Sequence, residues 1–484
     1  MKNMTKRGSG VLLHVSSLHG EYSIGSFGKE AKEFIDFLSD SGFTYWQTLP
    51  FCMADEYNSP YKSQTSFGAN PYFIDLPTLF ERGYLTEEEL LSAKQKSPYL
   101  CEYERLREER ISLLGAAARR AAQDADEVSR IEEFMKERPE LCKSAEFLAL
   151  REENSGTEWQ KWKISKSGAE LLFMWKFIQY EFFTQWFEIK RYANGKGIKI
   201  IGDLPIYVAL DSADVRSSPD DFLLDEEGYP TSVAGVPPDY FSEDGQLWGN
   251  PLYNWEKMES DGYALWRKRI AHMLTLFDGV RIDHFRGFEA YFSIPSGAEN
   301  ARMGKWIKGP GRSIIDVIRA EAKDKLIIAE DLGDITPEVS ALLEYSGFPG
   351  MRVLQFAFLG DEKTPHLPHN YDKNTVVYSA THDNNTLLGY IYELDNSTRD
   401  RVFDYFGYKG NDFCAACEKI KRSLLASPAD TVIFPIQDIL VYGADTRMNT
   451  PGVANGNWAY RLTRDQLFSI DRKKYFYLNK LYGR

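Results

Sequence analysis

Val280-Arg281-Ile282-Asp283-His284 sets a cation and an acid two residues apart inside a short apolar strand running from Phe277 to His284. Side chains at i and i+2 of a strand share a face, so Arg281 and Asp283 point at one target. Two later strands also finish on acids, Ile327-Ile328-Ala329-Glu330-Asp331 and Val376-Val377-Tyr378-Ser379-Ala380-Thr381-His382-Asp383. Segments of the same kind can be counted along the chain: Gly10 to Val15, Thr44 to Pro50, Lys199 to Pro205, Gly279 to His284, Leu326 to Leu332, Met351 to Phe356, Thr375 to His382 and Thr431 to Asp438. They are apolar on both faces, as buried parallel strands are. Helical stretches alternate with them, among them Lys29 to Ser41, Tyr263 to Phe277, Ser313 to Lys323 and Thr336 to Tyr345. Eight strands alternating with helices predict an α/β fold, a (β/α)8 barrel.

The spacing predicts insertions. The gap from Pro50 to Lys199 is several times the ~30 residues of a plain βα unit, so a helical subdomain is expected over residues 85–190 within one catalytic barrel spanning 1–484. Glu102 to Ala122 and Asp126 to Arg138 are rich in Glu, Arg and Ala, and Leu171 to Ile189 carries an aromatic stripe. The charges read as a solvated helix face, and Trp175, Phe182, Phe183 and Trp186 as a core face. A second insertion, residues 206–262, shows no clear period and reads as a long substrate-binding loop. No separate C-terminal β-domain is expected.

Composition narrows the function. A net charge of −13 over 484 residues argues against nucleic acid or an anionic membrane as main partner; a neutral substrate fits. The opening Met1 to Gly8, followed by apolar Val11 to Val15, is too short for a signal sequence, and no run reaches a transmembrane length. A cytoplasmic protein is expected. Five cysteines are few and odd in number, so they read as thiols rather than a disulfide framework. Cys414-Ala415-Ala416-Cys417 has no second pair nearby, and His366 with His369 is a lone pair among prolines, so neither reads as a metal site. No metal or cofactor is expected.

In barrels the working residues sit at the C-terminal strand ends, which here carry Asp203, Arg281, Asp283, His284, Glu330, His382, Asp383 and Asp438. A lone strand-end acid can equally serve as a cap or an ion pair; three on one rim point to sugar chemistry. A retaining glycosidase or transglycosidase needs one carboxylate as nucleophile and a second carboxyl as acid and then base. Asp283 suits the first role because a neighbouring guanidinium favours the ionised form. Glu330 is one bond longer and follows three apolar residues, which suits the acid/base.

Val280 to Gly287, Ile328-Ala329-Glu330-Asp331-Leu332-Gly333 and Thr381-His382-Asp383-Asn384-Asn385-Thr386 resemble three signature regions of the α-amylase clan. Within it the chain resembles the amylomaltases, or 4-α-glucanotransferases. Further matches are Gly10 to Leu18, Trp46 to Pro50, Ser59-Pro60-Tyr61, Ile201 to Val208, Gly245 to Tyr253, Asn449-Thr450-Pro451-Gly452 and Gly456-Asn457-Trp458. The resemblance implies Asp283 as nucleophile, Glu330 as acid/base and Asp383 as the acid that binds sugar hydroxyls and stabilises the oxocarbenium-like transition state. It places Arg281, His284 and His382 at the donor sugar, and Ser59, Tyr61, Asp203, Gln246, Trp248 and Asn457 along the glucan. The implied partners are α-1,4-glucans and maltooligosaccharides, with transfer to an acceptor 4-hydroxyl by double displacement. The alternatives are an α-1,4-glucan hydrolase of the same clan, a debranching transferase, which needs a further catalytic domain, and a noncatalytic glucan-binding module. The loop Gly235 to Phe241 and the segment Asn449 to Trp458 are the expected shields against water. The chain departs from the family pattern at Lys62, Ala380 and Asn385, and in Glu56-Tyr57-Asn58, where an aromatic stacking position is displaced.

Overall fold

The computed structural model describes residues 7–238 and 243–484. Residues 1–6, part of the opening stretch above, and Asp239, Tyr240 and Phe241 of the expected shielding loop lie outside the described residues. Eight parallel strands close into a barrel: β1 (Gly8–Leu12), β2 (Tyr45–Gln47), β3 (Lys199–Leu204), β4 (Gly279–Ile282), β5 (Leu326–Ala329), β6 (Gly350–Val353), β7 (Thr375–Tyr378) and β8 (Thr431–Pro435). Each pairs with its neighbours in sequence, and β1 meets β8 with Gly8 opposite Thr431. Nearly every strand residue is buried, because helices cover the outside while side chains fill the inside.

All eight expected strands are present, but most stop two or more residues short of the apolar runs that announce them. The ladder ends where the chain leaves the barrel for its next helix. Leu354–Phe356, for example, is a 3-10 turn. The acids therefore stand on the rim rather than inside the sheet: Asp283 follows Ile282, Glu330 follows Ala329, and Asp383 lies on the loop beyond Tyr378.

Between β2 and β3 the helices include Ile111–Ala121, Ala125–Lys136, Pro139–Glu153 and the long Ala169–Gly195. The aromatic stripe of the last packs on the barrel. Phe51, just past β2, meets Trp186 edge-on at 4.6 Å and Phe182 at 5.9 Å, and the Trp186 indole donates to the Leu276 carbonyl at 3.1 Å. Arg82 donates to both Glu127 and Glu181, two buried acids of different helices, so a charge on one carboxyl is never left alone.

The second insertion differs from its expected character. Ser232–Val236 and Gln246–Pro251 pair as antiparallel strands and continue through Ala290–Pro295 to Lys305–Lys308, making a four-stranded sheet beside the barrel mouth. Glycine and proline within the first two strands, and a register shift between Val233 and Gly235, hide the period of two. After β8 the described chain adds the helices Arg464–Ser469 and Arg472–Leu481, whose Tyr475 packs on Phe43 at 5.6 Å, and no further sheet. Among the described residues no helix is long and apolar enough to cross a membrane, and no group of three His, Cys, Asp or Glu is placed to hold a metal. Cys417 is buried and Cys414 exposed on the helix Phe413–Ala426, and all five cysteines are free.

Gly10 tests the closure. A Cβ there would lie 2.6 Å from the Tyr45 carbonyl oxygen across the β1–β2 pair. Gly10→Ala is expected to cost about 1–3 kcal/mol, read as a lower urea midpoint with an unchanged m-value.

Candidate active site

β3 and β4 lie in register with Asp203 opposite Arg281. Arg281 is buried and spends its donors inward: Nη1 donates to Asp203 Oδ2 at 2.6 Å, Nη2 to Asp283 Oδ1 at 2.8 Å, and Nε to the Met351 sulfur of β6 at 3.4 Å. Burial opposes its charge, but the two carboxylates hold its pKa far above the ordinary value. Asp203 Oδ2 also accepts the Tyr61 hydroxyl at 2.7 Å. Asp203 and Arg281 were both expected to contact the glucan. The structure corrects this: both are shut beneath the cleft, and they act on a sugar only through Asp283 and Tyr61. The Asp283 side chain keeps 29% of its surface open to the cleft.

Glu330 stands at the end of β5 and is half-buried. Its Oε2 accepts the backbone N–H of His284 at 2.8 Å and its Oε1 that of Leu332 at 2.7 Å. The first contact requires His284 to adopt a left-handed conformation (φ 54), which is uncommon outside glycine and asparagine. Burial and then the Asp283 charge push the Glu330 pKa up to about 8, against the opposing pull of Arg281 and the two N–H groups. His284 is pulled down to about 4, chiefly by burial, so its ring is neutral. The Trp248 ring meets it edge-on at 5.0 Å, and the Trp248 indole donates to Gln246 Oε1 at 3.1 Å. Trp248 and Gln246 therefore reach the cleft from the second insertion.

The third acid lies across the mouth. Asp383 Oδ2 is 3.3 Å from His382 Nε2, and 42% of its side chain is exposed. Tyr61 stacks on the His382 ring at 5.3 Å with only 11° between the planes, and the Trp458 ring lies 5.7 Å away. Tyr61 thus links both sides of the site. Its hydroxyl reaches the Asp203–Arg281–Asp283 chain, and its face lies on the neighbour of Asp383. Ser59 Oγ accepts the Tyr61 backbone N–H at 3.3 Å and so sits at the base of that ring.

Two other expected residues serve the scaffold. Asn457 spends its amide within its own loop, accepting from Thr450 N at 2.9 Å and donating to the Val453 carbonyl at 2.7 Å. Asp438 accepts the Ser379 hydroxyl and the Leu387 backbone N–H, capping a turn below the cleft. Sequence reasoning assigned no role to Met351, Arg447 or Asn449. Met351 looked like any core residue, and the Asn449 contact with Asp383 spans 66 positions.

A family model described as 4-alpha-glucanotransferase matches residues 13–466. The chain belongs to the 4-alpha-glucanotransferase family. The transferase is 41% identical to the 4-alpha-glucanotransferase of Clostridium butyricum, over 98% of this chain and all of that one. It is likewise 41% identical to that of Thermus thermophilus, over 95% of this chain and 96% of the relative. Among solved structures, the amylomaltase from Streptococcus agalactiae in complex with acarbose superposes with a TM-score of 0.95 at 35% identity, covering 99% of this chain and 100% of that one. The enzyme is a transglycosylase acting on glucans, as the resemblance implied, and nothing in these relatives supports the hydrolase alternative.

Asp203 is where this site is most exposed to substitution. Asp203→Ala leaves a buried guanidinium with one carboxylate fewer, and is expected to destabilise by ~3–5 kcal/mol and to depress transfer. Equilibrium unfolding in urea measures the first effect; a loss under ~1 kcal/mol would contradict the buried-pair account.

Proposed function

We propose that the enzyme transfers segments of α-1,4-glucans to the 4-hydroxyl of an acceptor glucan or glucose by retaining double displacement. Asp283 is the nucleophile, Glu330 the acid/base, and Asp383 the acid that holds sugar hydroxyls. The observation that carries this reading is the contrast between two adjacent carboxyls. Asp283 is bound to a guanidinium, whereas Glu330 is pushed up to about 8 and holds its proton at neutral pH. The Streptococcus agalactiae relative was solved with acarbose, which favours an oligosaccharide in the corresponding cleft.

In the first step Glu330 gives its proton to the glycosidic oxygen while an Asp283 oxygen bonds to the anomeric carbon, and the reducing-end fragment leaves. Glu330 is now a base. It takes the proton of the acceptor 4-hydroxyl, whose oxygen displaces Asp283 and restores the α-linkage. His284 and His382 contact the donor sugar, Tyr61, Trp248 and Gln246 supply stacking faces and amide groups, and the Asn449–Trp458 segment limits productive attack by water. Maltooligosaccharides in a reducing cytoplasm are the setting that suits five free thiols.

Maltotriose provides the test. Transfer gives glucose together with maltooligosaccharides longer than the substrate; accumulation of shorter sugars alone overturns this reading. The pH dependence follows from Glu330. Its proton is present below about 8 and lost above it, so kcat/KM is expected to fall as pH rises through that value. Glu330→Gln is expected to lose at least ~10²-fold in kcat and to retain maltooligosaccharide binding by calorimetry.

A further inference from the structure

The segment that follows β8 reaches back across the barrel mouth and grips the third acid. Asn449 Nδ2 donates to Asp383 Oδ1 at 2.6 Å, and the Asn449 backbone N–H donates to the His382 carbonyl at 3.0 Å. Arg447 straddles the junction, with Nη2 donating to the Asp383 carbonyl at 2.5 Å and Nε to the Asn449 carbonyl at 2.8 Å. The amide orientation is fixed by chemistry, since the opposite flip would set carbonyl oxygen against carboxylate. We propose that Asn449 is a positioning residue that fixes the plane of the Asp383 carboxylate and ties the Thr450–Asn457 loop to it.

With Oδ1 held by Asn449, Asp383 presents Oδ2 to the cleft beside His382 Nε2. A carboxylate free to rotate would lose entropy on each sugar it bound; one already clamped does not. The loop is clamped in turn. Asn457 bridges Thr450 and Val453, and the Trp458 N–H donates to the Met448 carbonyl at 2.7 Å, on the residue adjoining Asn449. A glucan that presses on this loop therefore acts on Asp383 through one amide. The charged and titratable groups around Asp383 are His382 on its own loop, Arg447 with Glu393 behind it, and Tyr61 with the Asp203–Arg281–Asp283 chain across the mouth.

The inference rests on the reading of Asp383 as a working acid, and three variants separate the two. Asn449→Asp is isosteric but sets two carboxyls in contact that cannot both ionise, so the pair holds a shared proton. Maltotriose transfer at pH 7 is expected to fall by about 100-fold and to recover in part on acidification, moving the optimum to lower pH. Asn449→Ala loses one charge-assisted hydrogen bond and is expected to lower kcat about 10–100-fold with KM within about threefold of wild type. A loop anchor alone would move neither the pH optimum nor kcat apart from KM. A wild-type pH optimum in Asn449→Asp, or a kcat within about twofold of wild type in Asn449→Ala, overturns the proposal. Thermal melting reports folding, and if the aspartate variant does not fold the alanine variant decides by the same split. Asp383→Asn is the control. If it is inactive while both Asn449 variants behave as wild type, only this inference fails; if it keeps wild-type transfer, the role of Asp383 fails and the inference with it.

Discussion

The Arg281 guanidinium is the constraint on which the site depends. It lies at the top of the barrel interior, where three strands deliver Asp203, Asp283 and Met351 to its three nitrogens. A buried cation of this kind is tolerable only when its partners are present and correctly placed. The register of β3 against β4, which sets Asp203 opposite Arg281, is thereby coupled to the direction of Asp283. Barrel closure and nucleophile geometry are one problem in this chain, since slipping a strand by one residue would turn Asp203 away from Arg281.

From that anchor the electrostatics spread unevenly. Asp283 sits against the cation. Glu330, one strand further on, meets the same cation only at a distance, together with burial and the neighbouring negative charge, and those two dominate. The two backbone N–H groups that meet its oxygens orient the carboxyl without cancelling the shift. Two like side chains at adjacent strand ends thus become chemically unlike, which is what acid/base and nucleophile require of one another. The strained backbone of His284 belongs to the same design, because it aims one of those N–H groups and a neutral imidazole into a single corner.

The barrel and its acids were legible in the sequence because strand periodicity and strand-end position are local signals. Val280 to Asp283 and Ile327 to Glu330 carry both within a few residues. What was not legible depends on pairing at long range. Asp203 reads as another rim acid until Arg281 and Tyr61 are seen to occupy it. Asn457 resembles a sugar-binding amide until its own loop is seen to satisfy it. The small antiparallel sheet escaped notice because glycine, proline and a register shift break the alternation on which a sequence reading relies. Glucan specificity, for its part, came from resemblance. The acids alone are common to hydrolysis and transfer.

That last point locates the difference between the two reactions. Both need a nucleophile and a proton donor on the barrel rim; only transfer needs the covalent intermediate to outlast its exposure to water. The rim residues are set by strands and vary little in position, so the distinction must reside in the connections that rise above them. Here those connections are the hairpin carrying Gln246 and Trp248, which meets His284, and the segment after β8, which meets His382 and Asp383. Each wall of the cleft touches a residue adjoining a proposed catalytic acid, so the elements that exclude water also set the geometry of the chemistry. An acceptor sugar that fills the space between them satisfies both requirements at once, whereas a water molecule is too small to engage either wall.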